Sequence, residues 1–345
     1  MRSHSGHPSN AVLALPCLVA VLYSTAVQAD APLGYLSGNG PRNVSHLTWG
    51  LLVISILVFA IVIAILLIAL WRGWWRPKIT LPGTAPVYDQ PGGVRAIYAG
   101  LVLSALVLFG VTVWTVATIA DISNPPQKPR LTIEVTARLW WWEVRYLSDD
   151  PSQIFTTANE IHIPAGEPVS VVLKSTGVIH SFWVPRLTGK TDLIPGQTNV
   201  TWLEADTPGI YRGQCAEYCG LQHAHMGMEV IASPQPRFME WRRKQLQPAQ
   251  TPTAETAKIG RSVFMQRCSI CHTVRGTLAG GVIGPDLTHL MSRRTLAAAT
   301  LPNRPGFLSG WIADPQHIKP GAKMPAARLS GPELNQVRDY LQTLQ

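Results

Sequence analysis

The chain has 345 residues, of which 46% are apolar and only 14% charged, with a formal net charge of +9. Soluble globular domains carry nearer a quarter charged residues, so this composition implies membrane spans and excludes a wholly solvated fold. The basic excess comes with no nucleic-acid reader motif and falls in segments placed below outside the cytoplasm, which excludes nucleic-acid binding.

Residues 1–29 read as a secretory signal peptide, with Arg2, an apolar run from Ala11 to Val27, and the small-residue cleavage site Ala26-Val27-Gln28-Ala29. Cys17 falls inside it. Residues 30–129 then form an N-terminal segment and a transmembrane hairpin. Its two uncharged runs, 49–71 and 96–120, are each long enough at about 1.5 Å per residue to cross a hydrocarbon core of about 30 Å. The loop between them holds Arg72, Arg76, Lys78 and Arg95 against Asp89, so the positive-inside bias puts it in the cytoplasm and both termini outside. Neither run contains a histidine or an acid. An oxygen-reducing metal centre or a proton path within the membrane therefore has no ligands here and belongs to another chain.

Asn124-Pro125-Pro126-Gln127-Lys128-Pro129 ends the second span. Over 130–232, short β-rich runs separated by Pro/Gly turns predict strands at Leu131–Ala137, Trp140–Tyr146, Glu160–Ile163, Val169–Ser175 and Asn199–Leu203, and so an all-β sandwich or barrel. Within it lie His180 and the loop Gly213-Gln214-Cys215-Ala216-Glu217-Tyr218-Cys219-Gly220-Leu221-Gln222-His223-Ala224-His225-Met226. One soft metal ion does not need two cysteines beside two histidines and a methionine. Two copper ions sharing both sulfurs do. Cys215 and Cys219 bridge from one tight loop, His223 and Met226 follow at spacings of four and three, and His180 comes from an earlier strand. A Cys215–Cys219 disulfide and a structural zinc on His180 and His223 are the competing readings; Met226 and the β-rich setting favour copper. His162 and His225 read as ordinary core or surface histidines.

Residues 233–256 read as a linker, with a short basic helix over Pro236–Gln245. Residues 257–345 alternate helices, at Ala257–Gln266, Phe307–Ala313 and Pro332–Leu344, with Gly/Pro loops. Here Cys268-Ser269-Ile270-Cys271-His272 is a c-type haem attachment motif: two thioethers and one axial imidazole. Lys319-Pro320-Gly321-Ala322-Lys323-Met324-Pro325 supplies Met324 as the second axial ligand, and His/Met ligation suits an electron carrier. Met265 and Met291 are the rival methionines.

His180-Ser181-Phe182-Trp183-Val184-Pro185, Lys190-Thr191-Asp192-Leu193-Ile194-Pro195-Gly196 and the Cys215–Met226 loop resemble subunit II of haem–copper cytochrome c oxidases. Residues 257–345 resemble a class I cytochrome c, and the fusion resembles the caa-type oxidases. The resemblance implies a cupredoxin-like CuA domain with His180, Cys215, Cys219, His223 and Met226 as side-chain ligands and Glu217 as a backbone-carbonyl ligand. It also implies a possible magnesium ion reached by the Glu217 side chain at the interface with subunit I. In Arg138-Leu139-Trp140-Trp141-Trp142-Glu143, Trp140 matches the family's electron-accepting tryptophan, with Trp141 second and Trp142 left to packing. The partners implied are subunit I, subunit III beside it, and a donor such as cytochrome c or a bc1-type complex. The family's glutamate before the second span is replaced by Arg95, with Asp89 the nearest acid, so no proton-uptake role is carried over.

The fold expected is thus a two-helix transmembrane hairpin, an all-β cupredoxin-like domain and an all-α cytochrome c domain. The function expected is relay of electrons from a donor through haem c and CuA to an oxygen-reducing, proton-pumping subunit I. A CuA-type nitric oxide reductase and a free-standing tethered electron shuttle are the alternatives. Residues 130–232 carry 7 Lys/Arg against 11 Asp/Glu, whereas 257–345 carry 11 against 4. Opposite signs on tethered domains predict that the haem domain docks transiently near Trp140, the alternative being that its basic face meets anionic lipid or an acidic external donor.

Overall fold

The computed structural model describes residues 39–75 and 93–345. The signal peptide read over 1–29, its cleavage site and Cys17 lie outside the described residues, as do Arg76, Lys78 and Asp89.

Helices α1 (Asn39–Trp74) and α2 (Gly93–Ser123) are each long and apolar enough to cross a bilayer. Both run past the uncharged stretches, because the polar flanks contain nothing that stops the backbone ladder. Ser55, Thr112 and Thr115 donate their hydroxyls to carbonyls four residues back at 2.8 Å, which satisfies those donors within the helix. The two helices meet at Gly50, where an added Cβ would lie 2.2 Å from the Trp114 ring. Arg42 pairs with Asp206, and Trp202 Nε1 donates to the Ile122 carbonyl at 3.0 Å, joining the hairpin to the domain that follows.

That domain is a sandwich of two five-stranded sheets. One has the order β3-β2-β1-β5-β8, built from β1 (Leu131–Arg138), β2 (Trp141–Tyr146), β3 (Phe155–Ala158), β5 (Val169–Ser175) and β8 (Asn199–Leu203). The other has the order β4-β10-β9-β6-β7, built from β4 (Glu160–Pro164), β6 (His180–Trp183), β7 (Thr191–Leu193), β9 (Gly209–Cys215) and β10 (Gly227–Ser233). Alternation puts Ile133, Val135, Val169, Val171 and Leu173 of the first sheet inside, against Phe182, Tyr211 and Val230 of the second. Each such aliphatic side chain stabilises the fold by about 1.5–3 kcal/mol on burial. The β6–β9 pairing sets Phe182 opposite Cys215, so the strand that begins at His180 and the strand that ends at Cys215 are neighbours at one rim.

The stretch read as a linker begins as helix α3 (Gln235–Gln245), clamped to this domain by Trp241, which stacks on His162 with ring centroids 4.0 Å apart and also meets Tyr146 and Phe155. The C-terminal domain is helical: α4 (Glu255–Arg267), α5 (Pro305–Ala313), α6 (Pro315–Ile318) and α7 (Gly331–Leu341), with a two-residue hairpin of β11 (Thr295–Leu296) and β12 (Leu301–Pro302). Ser330 and Glu333 form a capping box at the start of α7. Helices α4 and α7 cross at Gly260, where any Cβ would fall 1.8 Å from the Gln336 carbonyl oxygen, so only glycine permits that approach.

Candidate copper and haem sites

His180, Cys215 and Cys219 are buried and bring their ligand atoms within 4.8 Å of one another at the sandwich rim. His180 Nδ1 lies 3.7 Å from Cys215 Sγ, and His223 Nδ1 lies 3.6 Å from Cys219 Sγ, so each sulfur has its own imidazole. The Glu217 carbonyl oxygen sits 3.2 Å from Cys215 Sγ while its side chain is exposed. Met226 is fully buried beside the cluster, its carbonyl accepting the Cys215 N–H at 3.0 Å. Trp142 meets His180 edge-on and reaches the Met226 carbonyl with Nε1 at 3.4 Å, which walls the site off from the core.

The two sulfurs are free thiols sharing one S–H···S hydrogen bond at 3.8 Å. That sharing drives Cys215 down to about 3 and pushes Cys219 well above the ordinary thiol range. Two thiol sulfurs side by side, each faced by its own imidazole nitrogen, are the soft donor set that a pair of copper ions would need. His225, by contrast, is exposed and bonds Gln222 Oε1 at 2.8 Å, and His162 stacks on Trp241 and bonds Glu160 at 2.9 Å.

In the helical domain, Cys268, Cys271, His272 and Met324 converge on a cavity of about 260 Å³ lined by Phe264, Leu290, Trp311 and Val337. His272 Nδ1 bonds the Pro285 carbonyl at 2.8 Å, which fixes the tautomer and leaves Nε2 for a metal. Burial holds its pKa below the usual histidine value, so the imidazole stays neutral. Half-buried Arg293 lines the same cavity and donates to the Asp286 carbonyl, with its Nε unpartnered among the described residues, which suits the anionic edge of a haem. The residues present therefore fit haem c. Gly284 supports the ring: an added Cβ would lie 2.7 Å from His272 Cε1. Gly284→Ala is expected to overpack the site by about 1–3 kcal/mol and weaken the low-spin haem spectrum, read by absorption of the purified protein.

The two sites share one wall. Trp140 lines the haem cavity and donates from Nε1 to the Cys219 carbonyl at 2.9 Å. Its ring is sandwiched by two left-handed glycines: a Cβ at Gly220 would lie 3.2 Å from Cζ2, and one at Gly321 would lie 3.6 Å from Cη2. Trp141 also lines the cavity, under the Arg138 guanidinium at 5.6 Å. Around this junction Gln222 donates to the Pro320 carbonyl at 2.8 Å, the Gly227 N–H to Ala298 at 3.1 Å, and Arg294 pairs with Glu229 at 3.1 Å. That last pair joins an arginine of the basic domain to a glutamate of the acidic one.

Several of these residues carry no signal in the sequence. Gln222 and Arg294 meet their partners only across the junction of the two domains, and no spacing rule marks those contacts. Gly321 had a cue, the Pro-Gly turn ahead of Met324.

A family model described as the periplasmic domain of cytochrome c oxidase subunit II matches residues 132–233, and one described as cytochrome c matches 257–345. A cytochrome c oxidase subunit 2 of Alkalihalophilus pseudofirmus is 34% identical over 342 residues, spanning 96% of each chain. One from Bacillus sp. (strain PS3) is 31% identical, spanning 70% of this chain and 71% of that one. The crystal structure of the periplasmic domain of subunit II (CoxB) of Bradyrhizobium japonicum is 29% identical, covers 34% of this chain and 95% of that chain, and superposes with a TM-score of 0.32. The first domain implies CuA copper and the second a haem, and the two apolar helices make this a membrane protein with an extracytoplasmic domain. The chain belongs to the cytochrome c oxidase subunit 2 family, in the form that carries a cytochrome c domain fused behind the copper domain.

Proposed function

We propose that this chain is the electron-input subunit of a terminal oxidase. It takes single electrons from an external donor and delivers them to haem–copper subunit I, which reduces oxygen to water and pumps protons. When bound, haem c and the copper pair each supply one-electron storage. Cys268, Cys271, His272 and Met324 hold the haem. His180, Cys215, Cys219, His223, Met226 and the Glu217 carbonyl hold the copper pair. The observation that carries this reading is the indole of Trp140, which lines the haem cavity on one side and hydrogen-bonds the Cys219 carbonyl on the other.

The chain's own contribution is positioning. The β6–β9 rim and the loop that follows it fix His180, Cys215, Cys219, His223, Met226 and the Glu217 carbonyl on paired strands and one tight turn, so the donor set would stay in place whichever charge the bound metal carried. Trp140 fills the gap that water would otherwise occupy between the sites. Since the docked haem domain covers Trp140, a donor such as cytochrome c or a bc1-type complex delivers to the open side of the haem site. Ile270 and Ile283 line the cavity there and are 77% and 56% exposed, with Arg267 and Lys323 also lining it. The exposed Glu217 side chain is free to meet a magnesium ion at the subunit I interface, with subunit III beyond. Both termini and both redox domains lie outside the cytoplasmic membrane.

Rapid mixing of the purified complex with reduced donor tests this. Haem c reduction, then copper reduction, with oxygen consumed, is the expected sequence. Consumption of nitric oxide in place of oxygen, or purification without a multi-span histidine-rich partner, would contradict it.

A further inference from the structure

We propose that Lys319 is the positioning residue of the haem-to-copper junction: its ammonium, donating to the Trp140 carbonyl at 2.8 Å, locks the haem domain onto the indole that reaches Cys219. This rests on the reading that electrons cross at Trp140.

Lys319 belongs to the haem domain, at the end of α6, and is only 3% exposed. A lysine this deep normally meets a carboxylate; among the described residues none lies within ion-pairing reach. Instead its Nζ donates to two carbonyls on opposite sides of the junction, Trp140 at 2.8 Å and Ala297 at 3.1 Å. Burying an ammonium without a counter-ion is unfavourable, and an apolar residue would fill the space at less cost, so the compensation here comes from the two carbonyls it holds in place. Burial pushes its pKa down to about 7, and the Cys219 sulfur acts in the opposite direction.

The second carbonyl gives the geometry its other half. Ala297, Ala298 and Ala299 are successive left-handed residues, with φ of 53°, 60° and 57°. Alanine takes that conformation only when its surroundings impose it. Lys319 holds the first carbonyl of the run, and Gly227 of the copper domain donates its N–H to the second, at 3.1 Å. The strained turn therefore presents backbone acceptors to both domains at once. Lys319 ties that turn to the Trp140 segment, which fixes the separation of the two redox sites. Electron tunnelling falls steeply with distance, so a contact that holds separation governs rate.

The test is Lys319→Met in the full oxidase complex. Methionine keeps length and apolar bulk but leaves the Trp140 carbonyl without its donor. Losing a charge-assisted bond at a buried acceptor is expected to shift the docked state by about tenfold or more. Haem-to-copper transfer after flash photoreduction should slow by a comparable factor, with the haem c and copper spectra unchanged. Hydrogen exchange at the Gly227 amide should accelerate in parallel, since that bond reports docking independently of electron flow. Lys319→Gln, which keeps a donor, should retain more of both than methionine, and it substitutes for the Met variant if that one fails to load haem. Wild-type transfer with unchanged Gly227 exchange in Lys319→Met overturns the proposal. If Trp140→Leu leaves transfer unaltered, the crossing at Trp140 is wrong, whereas Gly227 exchange still decides whether Lys319 holds the domains together.

Discussion

Replacing Cys219 by serine is expected to abolish the copper pair and stop electron delivery to subunit I, with haem c attached as before. Cys219 shares an S–H···S hydrogen bond with Cys215 at 3.8 Å and faces His223 at 3.6 Å, so it is one of two thiol sulfurs available to bridge. A serine hydroxyl is hard, remains protonated at neutral pH and does not bridge two soft ions. The remaining His180, Cys215, His223 and Met226 include a single thiolate and would hold at most one ion. Copper content should fall from two ions per chain to one or none, the shared-electron resonance should vanish, and donor-driven oxygen consumption should drop to background. The helical domain folds around its own core of Phe264, Leu308, Val337 and Tyr340, so the haem c spectrum serves as the internal control. A Cys219→Ser oxidase that retained turnover would show that the sulfurs are structural.

Trp140→Leu is expected to leave both centres loaded and slow transfer between them by more than about tenfold, which is about 1.4 kcal/mol on the barrier. Leucine retains part of the apolar volume, but the Nε1–H bond to the Cys219 carbonyl and the contacts with Gly220 and Gly321 disappear together. Flash photoreduction of haem c followed at the copper band measures the step directly. Electrons injected straight into the copper pair by a small photoreductant should still reach oxygen at the wild-type rate. That contrast separates loss of a conduit from loss of a site. Equal rates in the variant and the parent would mean that electrons cross elsewhere, with Trp141, which also lines the cavity, the first alternative.

Much of this was visible before the fold because ligand chemistry leaves short-range marks. Strands β5 and β8 have the bounds that alternation predicted, and the Cys215–Met226 and Cys268–His272 spacings each describe a single loop. Strand β6 was harder: His180, Ser181 and Phe182 are buried in succession, so no period of two reveals it. The predicted strand Trp140–Tyr146 begins one residue later, at Trp141, because Trp140 turns out of the ladder to face the haem domain. Helix α1 starts ten residues before its uncharged run, since hydropathy marks the lipid-exposed part and not the helix. The run Leu296-Ala297-Ala298-Ala299 has high helix propensity, yet it is a left-handed turn whose carbonyls serve the neighbouring domain. Charge balance pointed to docking in general terms. Which lysine lies under which carbonyl depends on residues 179 positions apart, and local pattern does not reach that far.

Metal analysis combined with paramagnetic resonance of the purified mature complex tests the central claim most directly. Two copper ions per subunit, sharing one unpaired electron, alongside one low-spin haem c, is the result expected of the sulfur-bridged rim at His180, Cys215, Cys219 and His223. Zinc at that rim, or a single isolated copper, would contradict it.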